Sequence, residues 1–369
     1  MKKIITSIAI LTSIVVISCS KEEIQNFNEG SVIDFRTTVT RATETTSSNL
    51  SNFYVTAITS SGSNYFTDLK FTGENTAYYK SEKDYFWPSD GSNIDFYAYA
   101  PSKTDLDVTS LTIDKTTQAL TSFIPNESIT NQKDFIVAKA TGNKNDADDG
   151  VELIFDHVLS QIELRAYNSN TGYSIKVKGV RIGKVFTTAD FSFTNKIWSN
   201  RTNKGNYELI YTDPRPLTDA IDANNSITLM PSANDNAMLI PQEMTAWDSE
   251  NDKTNTSNGT YFAVLVNIKT AAGAKVFPKE YTTESEEGAF DWIAVPIAGE
   301  WHAGFKYVYN LDLANGGLID PEKEPEDPDD PDDDDPDTPS SGTTGGPGSS
   351  VMGGEIKFTR NVDSWSINF

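Results

Sequence analysis

Few residues in this chain are equipped for chemistry. Two histidines, His157 and His302, and one cysteine, Cys19, occur among 369 residues. A hydrolase triad would need one of the histidines beside a serine and an acid. His157 stands in an apolar strand-like run, and His302 falls in the turn-like stretch from Trp301 to Gly304. Both settings favour a histidine satisfied by hydrogen bonds in a core or at an edge, not a general base. The sequence shows no glycine-rich phosphate loop, metal-ligand spacing or paired carboxylates, so no cofactor, metal or enzymatic activity is expected. The acids between Gly142 and Gly150 invite a calcium-loop reading. That motif would need an acid or amide where Ala147 stands, so a solvated linker is expected instead.

Cys19 fits a different chemistry, acylation. Lys2 and Lys3 precede an apolar run from Ile4 to Ile17, too short to anchor across a bilayer and the right length for a secretory signal. The run ends Val16-Ile17-Ser18-Cys19, which resembles a lipobox, whose cysteine is lipidated and becomes the new N-terminus. A lone cysteine in an exported chain has no internal disulfide partner, and lipidation accounts for it. Two or more acyl chains give stable attachment without a transmembrane helix. The following Ser20-Lys21-Glu22-Glu23 resembles the signal that sends lipoproteins to the outer face of the outer membrane.

The elements that must carry such a chain are β-strands. Aromatic residues make up 11% of the chain, and alternating aromatic and β-branched residues mark strands at 53–58, 94–99, 153–155, 161–167, 174–182, 261–268 and 307–313. No stretch reads as a long amphipathic helix, so the fold class is all-β. Of the six tryptophans, most have apolar flanks and are expected to pack. Trp198 and Trp247 have polar flanks and are the better candidates for exposure, where they could stack on a sugar.

Between Asp320 and Asp337 lie twelve acids and one lysine, interrupted by prolines, and Ser340 to Gly354 is rich in glycine and serine. Such a run cannot bury a core and repels itself, so an extended, disordered linker is expected, reaching on the order of 100 Å. It carries −11 of the net charge of −23. The remainder is only mildly acidic and has no basic stripe, which argues against a nucleic-acid partner.

The two ends of the chain echo one another. Ile33, Phe35 and Val39 near the start share spacing with Ile356, Phe358 and Val362 near the end. Residues at relative positions one, three and seven of a strand point to one face, so either segment could fill the same sheet groove. Apolar triplets also occur in ordinary edge strands; the long tether ahead of the second one favours exchange. Arg41 follows the first segment and precedes Ala42 and a polar loop that a protease could reach.

Several stretches together resemble the fimbrillin family, subunits of pili assembled from lipoprotein precursors on Gram-negative anaerobes. They are Val39-Thr-Arg41-Ala42, Tyr85-Phe-Trp87-Pro88, Ile94-Asp-Phe96-Tyr-Ala-Tyr99, Asp134-Phe135-Ile-Val-Ala138, Phe155-Asp-His157-Val-Leu159-Ser160, Leu239-Ile-Pro241-Gln242, Trp301-His-Ala-Gly304 with Lys306-Tyr307-Val-Tyr309, and Ile356-Lys-Phe358-Thr. The resemblance implies two β-sandwich domains of transthyretin-like topology, a lipid-anchored precursor at the cell surface and a fimbrium when mature. It also implies cleavage by an arginine-specific surface protease, at Arg41 or at Arg36, that removes the first strand. Other fimbrial subunits, the same chain or accessory ones, are then the partners, and adhesion follows from the filament. Shaft, tip and accessory roles all stay open.

The organisation expected is a signal peptide over 1–18, a lipidated pro-segment over 19–41, β-sandwich domains over 42–148 and 149–319, the acidic linker over 320–354 and a donor strand over 355–369. One departure from the donor pattern is Arg360, which shares the face of Ile356, Phe358 and Val362. Beyond Val362 the phase changes, and either a bulge near Asp363 and Ser364 or a separate short strand accommodates Trp365, Ile367 and Phe369. The alternative function is a surface lipoprotein that binds glycans as a monomer.

Overall fold

The structure is a computed structural model that describes residues 27–39, 50–73, 78–146, 148–232, 235–247, 259–279, 282–283, 287–322 and 348–364. Among them the regular elements are strands and four one-turn 3-10 helices. The chain is all-β, with sheets packed as sandwich layers. Every stretch read as a strand from alternation lies in one, except that Leu313 falls just past the end of Phe305–Asp312.

The first large sheet has six strands in the order Phe35–Val39, Val151–His157, Ile136–Gly142, Ile94–Ala100, Asn52–Thr59 and Asn64–Thr72. Both of its faces are covered, which is why its central strands are apolar almost continuously instead of alternating. One face carries Phe53, Phe71, Phe96, Leu153 and Phe155, closed over by Phe35, Tyr79 and Trp87. The other presents Ile58, Tyr97, Tyr99 and Val137 to Leu120, Phe123, Phe191 and Trp198.

The second sandwich faces an eight-stranded sheet with a five-stranded one. The eight-stranded sheet runs Leu318–Ile319, Asp291–Pro296, Tyr261–Thr270, Tyr173–Ser192, Gln118–Phe123 and Leu111–Ile113, with Ile197–Pro216 and Lys275–Phe277 added at its sides. The five-stranded sheet centres on Ser160–Tyr167 and Phe305–Asp312, which pair in parallel, and ends on Lys357–Ser364. Val177, Val180, Ile182, Phe262, Val264 and Val266 meet Ile162, Leu164, Tyr309 and Leu311 in one core between them.

The polar stretch 142–150, expected as an interdomain linker, connects two neighbouring antiparallel strands of the first sheet, Ile136–Gly142 and Val151–His157. The chain passes to the second sandwich between His157 and Ser160, while Leu111–Ile113 and Gln118–Phe123 already belong to the eight-stranded sheet. We carry the two-domain division forward as a proposal, with the crossing placed at 158–159.

Trp198 and Trp247, expected to be exposed, are buried. Trp198 donates its indole N–H to Val158 O at 2.5 Å and packs on Phe191 at 4.9 Å and Phe123 at 5.3 Å between ring centroids. Trp247 lies against Gly259, where a Cβ would come within 2.2 Å of its Cα, and packs with Tyr261. Polar neighbours in sequence did not decide burial, because Phe123 and Tyr261 reach these two rings from other strands.

Phe135 links the two sandwiches, touching Phe123, Phe191, Phe193 and Trp198. Phe135→Ala is expected to destabilise the chain by about 3–5 kcal/mol, the range for deleting a buried ring, measured as a lower urea midpoint.

Candidate functional site

The Phe35–Val39 strand lies at the edge of the six-stranded sheet, in parallel with Val151–His157, with Phe35 opposite Val151, Thr37 opposite Leu153 and Val39 opposite Phe155. Ile33 N–H donates to Tyr85 O at 2.7 Å, Phe35 and Tyr79 exchange both backbone hydrogen bonds, and Val151 N–H donates to Asp34 O at 3.0 Å. Phe35 is fully buried, edge-on to Phe71 at 4.7 Å and Phe96 at 5.1 Å, and Ile33 is 1% exposed. Removing this strand would uncover a slot walled by Phe53, Phe71, Phe96 and Phe155 and a row of backbone groups along Val151–Phe155. Both are costly in water and both fit another strand. Each apolar side chain re-buried there contributes about 1.5–3 kcal/mol.

One group works against the resident strand. Asp34 carries Oδ1 into a buried position where it accepts no hydrogen bond from the described residues. Gly150 abuts it with φ +70°, and a Cβ there would lie 2.8 Å from that oxygen. Burial pushes the Asp34 carboxyl above its usual range, with Lys80 pulling the other way.

At the other end, Lys357–Ser364 runs antiparallel to Phe305–Asp312 as the outermost strand of the five-stranded sheet. Leu311, Tyr309 and Tyr307 stand opposite Phe358, Arg360 and Val362, so those three share the inward face, as their alternation requires. The edge leaves them uncovered: Phe358 is 38% and Val362 44% exposed. Arg360 reaches outward across the Tyr307 ring at 5.9 Å. Ile356 differs, being 3% exposed and part of the second core. Pairing continues without a register shift through Asp363 and Ser364, so no bulge forms at those two residues, and Trp365, Ile367 and Phe369 lie outside the described residues. The strand expected from Ile33 begins only at Phe35, with Ile33 in the break after the Phe27–Val32 strand, and Ile356 likewise stands just ahead of the Lys357–Ser364 strand that carries Phe358 and Val362; the two segments lie in different sheets of the same chain.

Cys19, Arg41 and Ala42 lie outside the described residues, as does 323–347. The start of the expected linker is fixed in place. Arg181 bonds Asp320, which is 4% exposed, and Glu208 at 2.5 Å, and its guanidinium lies over Trp292 at 4.3 Å. Glu322 takes Lys184 at 2.6 Å and the Asn206 amide at 2.9 Å. Burial holds the Asp320 carboxyl above its ordinary range even with Arg181 beside it. Nothing in the acidic run singled out these two carboxylates, because the cations that hold them are more than a hundred residues away. The linker's far end is also placed: Gly348 N–H donates to Ile319 O at 3.0 Å and Val351 N–H to Gly317 O at 2.7 Å.

The histidines sit in unremarkable surroundings. The buried His157 Nδ1 is 2.8 Å from Asp134 Oδ2, and the exposed His302 Nε2 is 3.1 Å from Glu300 Oε1.

The family model described as Fimbrillin-like matches residues 40–325, more than three-quarters of the chain. The chain belongs to the fimbrillin-like family. The span matched in this fimbrillin-like chain begins just behind the Phe35–Val39 strand and ends within the acidic run, leaving both echoing segments outside it. Among solved structures, a fimbrial protein from Bacteroides vulgatus is 16% identical with a TM-score of 0.50, the alignment covering 90% of this chain and 99% of that one. A candidate cell adhesion protein from Bacteroides uniformis is 11% identical with a TM-score of 0.46, covering 91% of this chain and 100% of that one. At 16% identity the likeness to the Bacteroides vulgatus protein shows a shared fold. Comparison with curated proteins gives no match.

Two substitutions test the geometry of this fimbrillin-like chain. Because the Asp34 carboxyl is raised above its usual value of 3.8, the ionised form penalises the folded strand. Stability from the protonated form is present at low pH and is lost as pH climbs through the raised value. Asp34→Asn should therefore raise the melting temperature at neutral pH and leave it nearly unchanged at pH near 3, read by thermal melts across pH. Asp320→Ala removes one of the two close carboxylates on Arg181, leaving Glu208, and should lower stability by about 1–3 kcal/mol at neutral pH, read by urea unfolding.

Proposed function

We propose that this chain is a structural subunit of cell-surface fimbriae that assembles by strand exchange after proteolysis. The observation that carries the reading is the contrast between the two echoing segments. The resident Phe35 is wholly enclosed at a sheet edge, whereas Phe358 and Val362 face inward yet stay over a third exposed. Transfer of the second segment into the first one's slot would bury apolar surface that the isolated subunit leaves wet. Family membership supports the fimbrial role.

In this scheme Cys19 is lipidated, the precursor is anchored at the outer membrane, and an arginine-specific surface protease cuts after Arg41. Ile33, Phe35 and Val39 leave with the pro-segment. Ile356, Phe358 and Val362 of another subunit take their places, the partner being the same chain or an accessory fimbrial subunit. The chain's work is mechanical, with no catalytic residue, and adhesion is a property of the filament. The glycan-binding alternative loses its motivation, since Trp198 and Trp247 are both buried and offer no stacking surface.

The test is treatment of the purified precursor with an arginine-specific protease, followed by N-terminal sequencing and sizing. A product beginning at Ala42 that forms ladders is expected, and Arg41→Ala should yield no ladders. Equal assembly of the Arg41→Ala protein would overturn the processing step.

A further inference from the structure

A cleft of about 340 Å³ opens where the start of the Ile197–Pro216 strand meets a small sheet formed by Gln242–Met244 and Gly299–Trp301. That volume is at the small end of the range for ligand sites. Lys196, Arg201, Glu243 and Glu300 line it together with the buried Trp198 and Trp301.

The charges in the cleft are not paired off against one another. Lys196 Nζ holds Asp156 Oδ2 at 2.5 Å, but Arg201 meets no carboxylate among the described residues. Its Nε–H donates to Pro241 O at 2.6 Å, which fixes the guanidinium and leaves its two terminal nitrogens without an acceptor among those residues. Desolvation pulls the half-buried Arg201 below its ordinary pKa, yet a guanidinium does not shed its proton in a protein, so the charge stays. An anion beside it would offset that cost.

The backbone aims Arg201 by means of a β-bulge. Thr202 pairs with Thr188 and Ser199 with Asp190, so Asn200 and Arg201 together stand opposite Ala189. Asn200 and Asn203, on either side, take φ of +50° and +52°, in the left-handed region. A bulge of this kind bends its strand and redirects a side chain. On the small sheet, Glu243 and Glu300 stand directly opposite one another, an arrangement that like charges disfavour. Glu300 has His302 beside it, whereas Glu243 has no cation among the described residues.

We propose that this cleft binds a sugar acid, a uronic or sialic acid residue, whose carboxylate takes the Arg201 fork and whose hydroxyls donate to Glu243 and Glu300. A planar guanidinium matches a carboxylate through two parallel hydrogen bonds. The glutamates accept from hydroxyls, and they repel an acidic peptide, which would bring further negative charge. A neutral sugar would leave Arg201 uncompensated. Recognition here is by charge and hydrogen bonding, so it needs no exposed tryptophan. No residue of the site belongs to the Phe35 slot, and the inference is independent of strand exchange.

Saturation-transfer NMR on the full chain tests it, with galacturonate, N-acetylneuraminate, methyl galactoside and a tetraglutamate peptide as probes. At least one sugar acid should bind, and the neutral galactoside and the peptide should bind at least tenfold more weakly. Arg201→Gln should weaken the sugar acid at least tenfold, and Glu243→Gln at least threefold. Glu243 is exposed, and replacing it relieves the like-charge pair, so Glu243→Gln should also melt at a higher temperature than the parent, which separates lost binding from lost fold. No binding of either sugar acid at millimolar concentration, equal binding of the galactoside, tighter binding of the peptide, or unchanged affinity in either variant would overturn the proposal.

Discussion

Everything in the functional reading depends on how one short edge strand is held. Phe35 fills an aromatic slot between the first sheet and its covering layer, and its backbone completes a parallel ladder on Val151–Phe155. An interior strand could not leave without splitting its sheet. An edge strand can, and the price is a row of unpaired amides beside an empty apolar slot. In the proposed exchange the same site would couple stability to association, since any strand that filled it would restore the ladder and the apolar contacts.

The opposing constraint sits at the other terminus. The arm 348–364 is bound firmly at its root and loosely at its tip, since Ile356 is enclosed while Phe358 and Val362 lie open to solvent. The paired carboxylates Asp320 and Glu322 fix the point from which the linker departs, on the outer side of the eight-stranded sheet beside Arg181, Lys184 and Trp292.

Much of the architecture could be read from the residues alone, because period-two alternation of aromatic and β-branched side chains survives even in strands buried on both faces. Ile33 and Phe35 were identifiable as inward-facing for that reason. What could not be read is what depends on distant partners. Trp198 looked exposed because its neighbours in sequence are polar, yet Phe123, Phe135 and Phe191 enclose it. The stretch 142–150 has the composition of any polar turn, which does not distinguish a hairpin connection from a domain linker. Asp320 was one acid among twelve, and only the fold brings Arg181 to it. Ile356 carries the same pattern as Phe358 and Val362, but it packs into the second core beside Gly317 while they stay at the sheet edge. Asp34, flanked by two core residues, gave no hint that its carboxylate would be enclosed.

The most direct measurement is binding of a labelled peptide spanning residues 348–364 to the precursor and to the chain cut after Arg41. The account predicts saturable binding to the cut chain alone, displaced by a peptide carrying Ile33, Phe35 and Val39. Equal binding to both forms, or to neither, would contradict it.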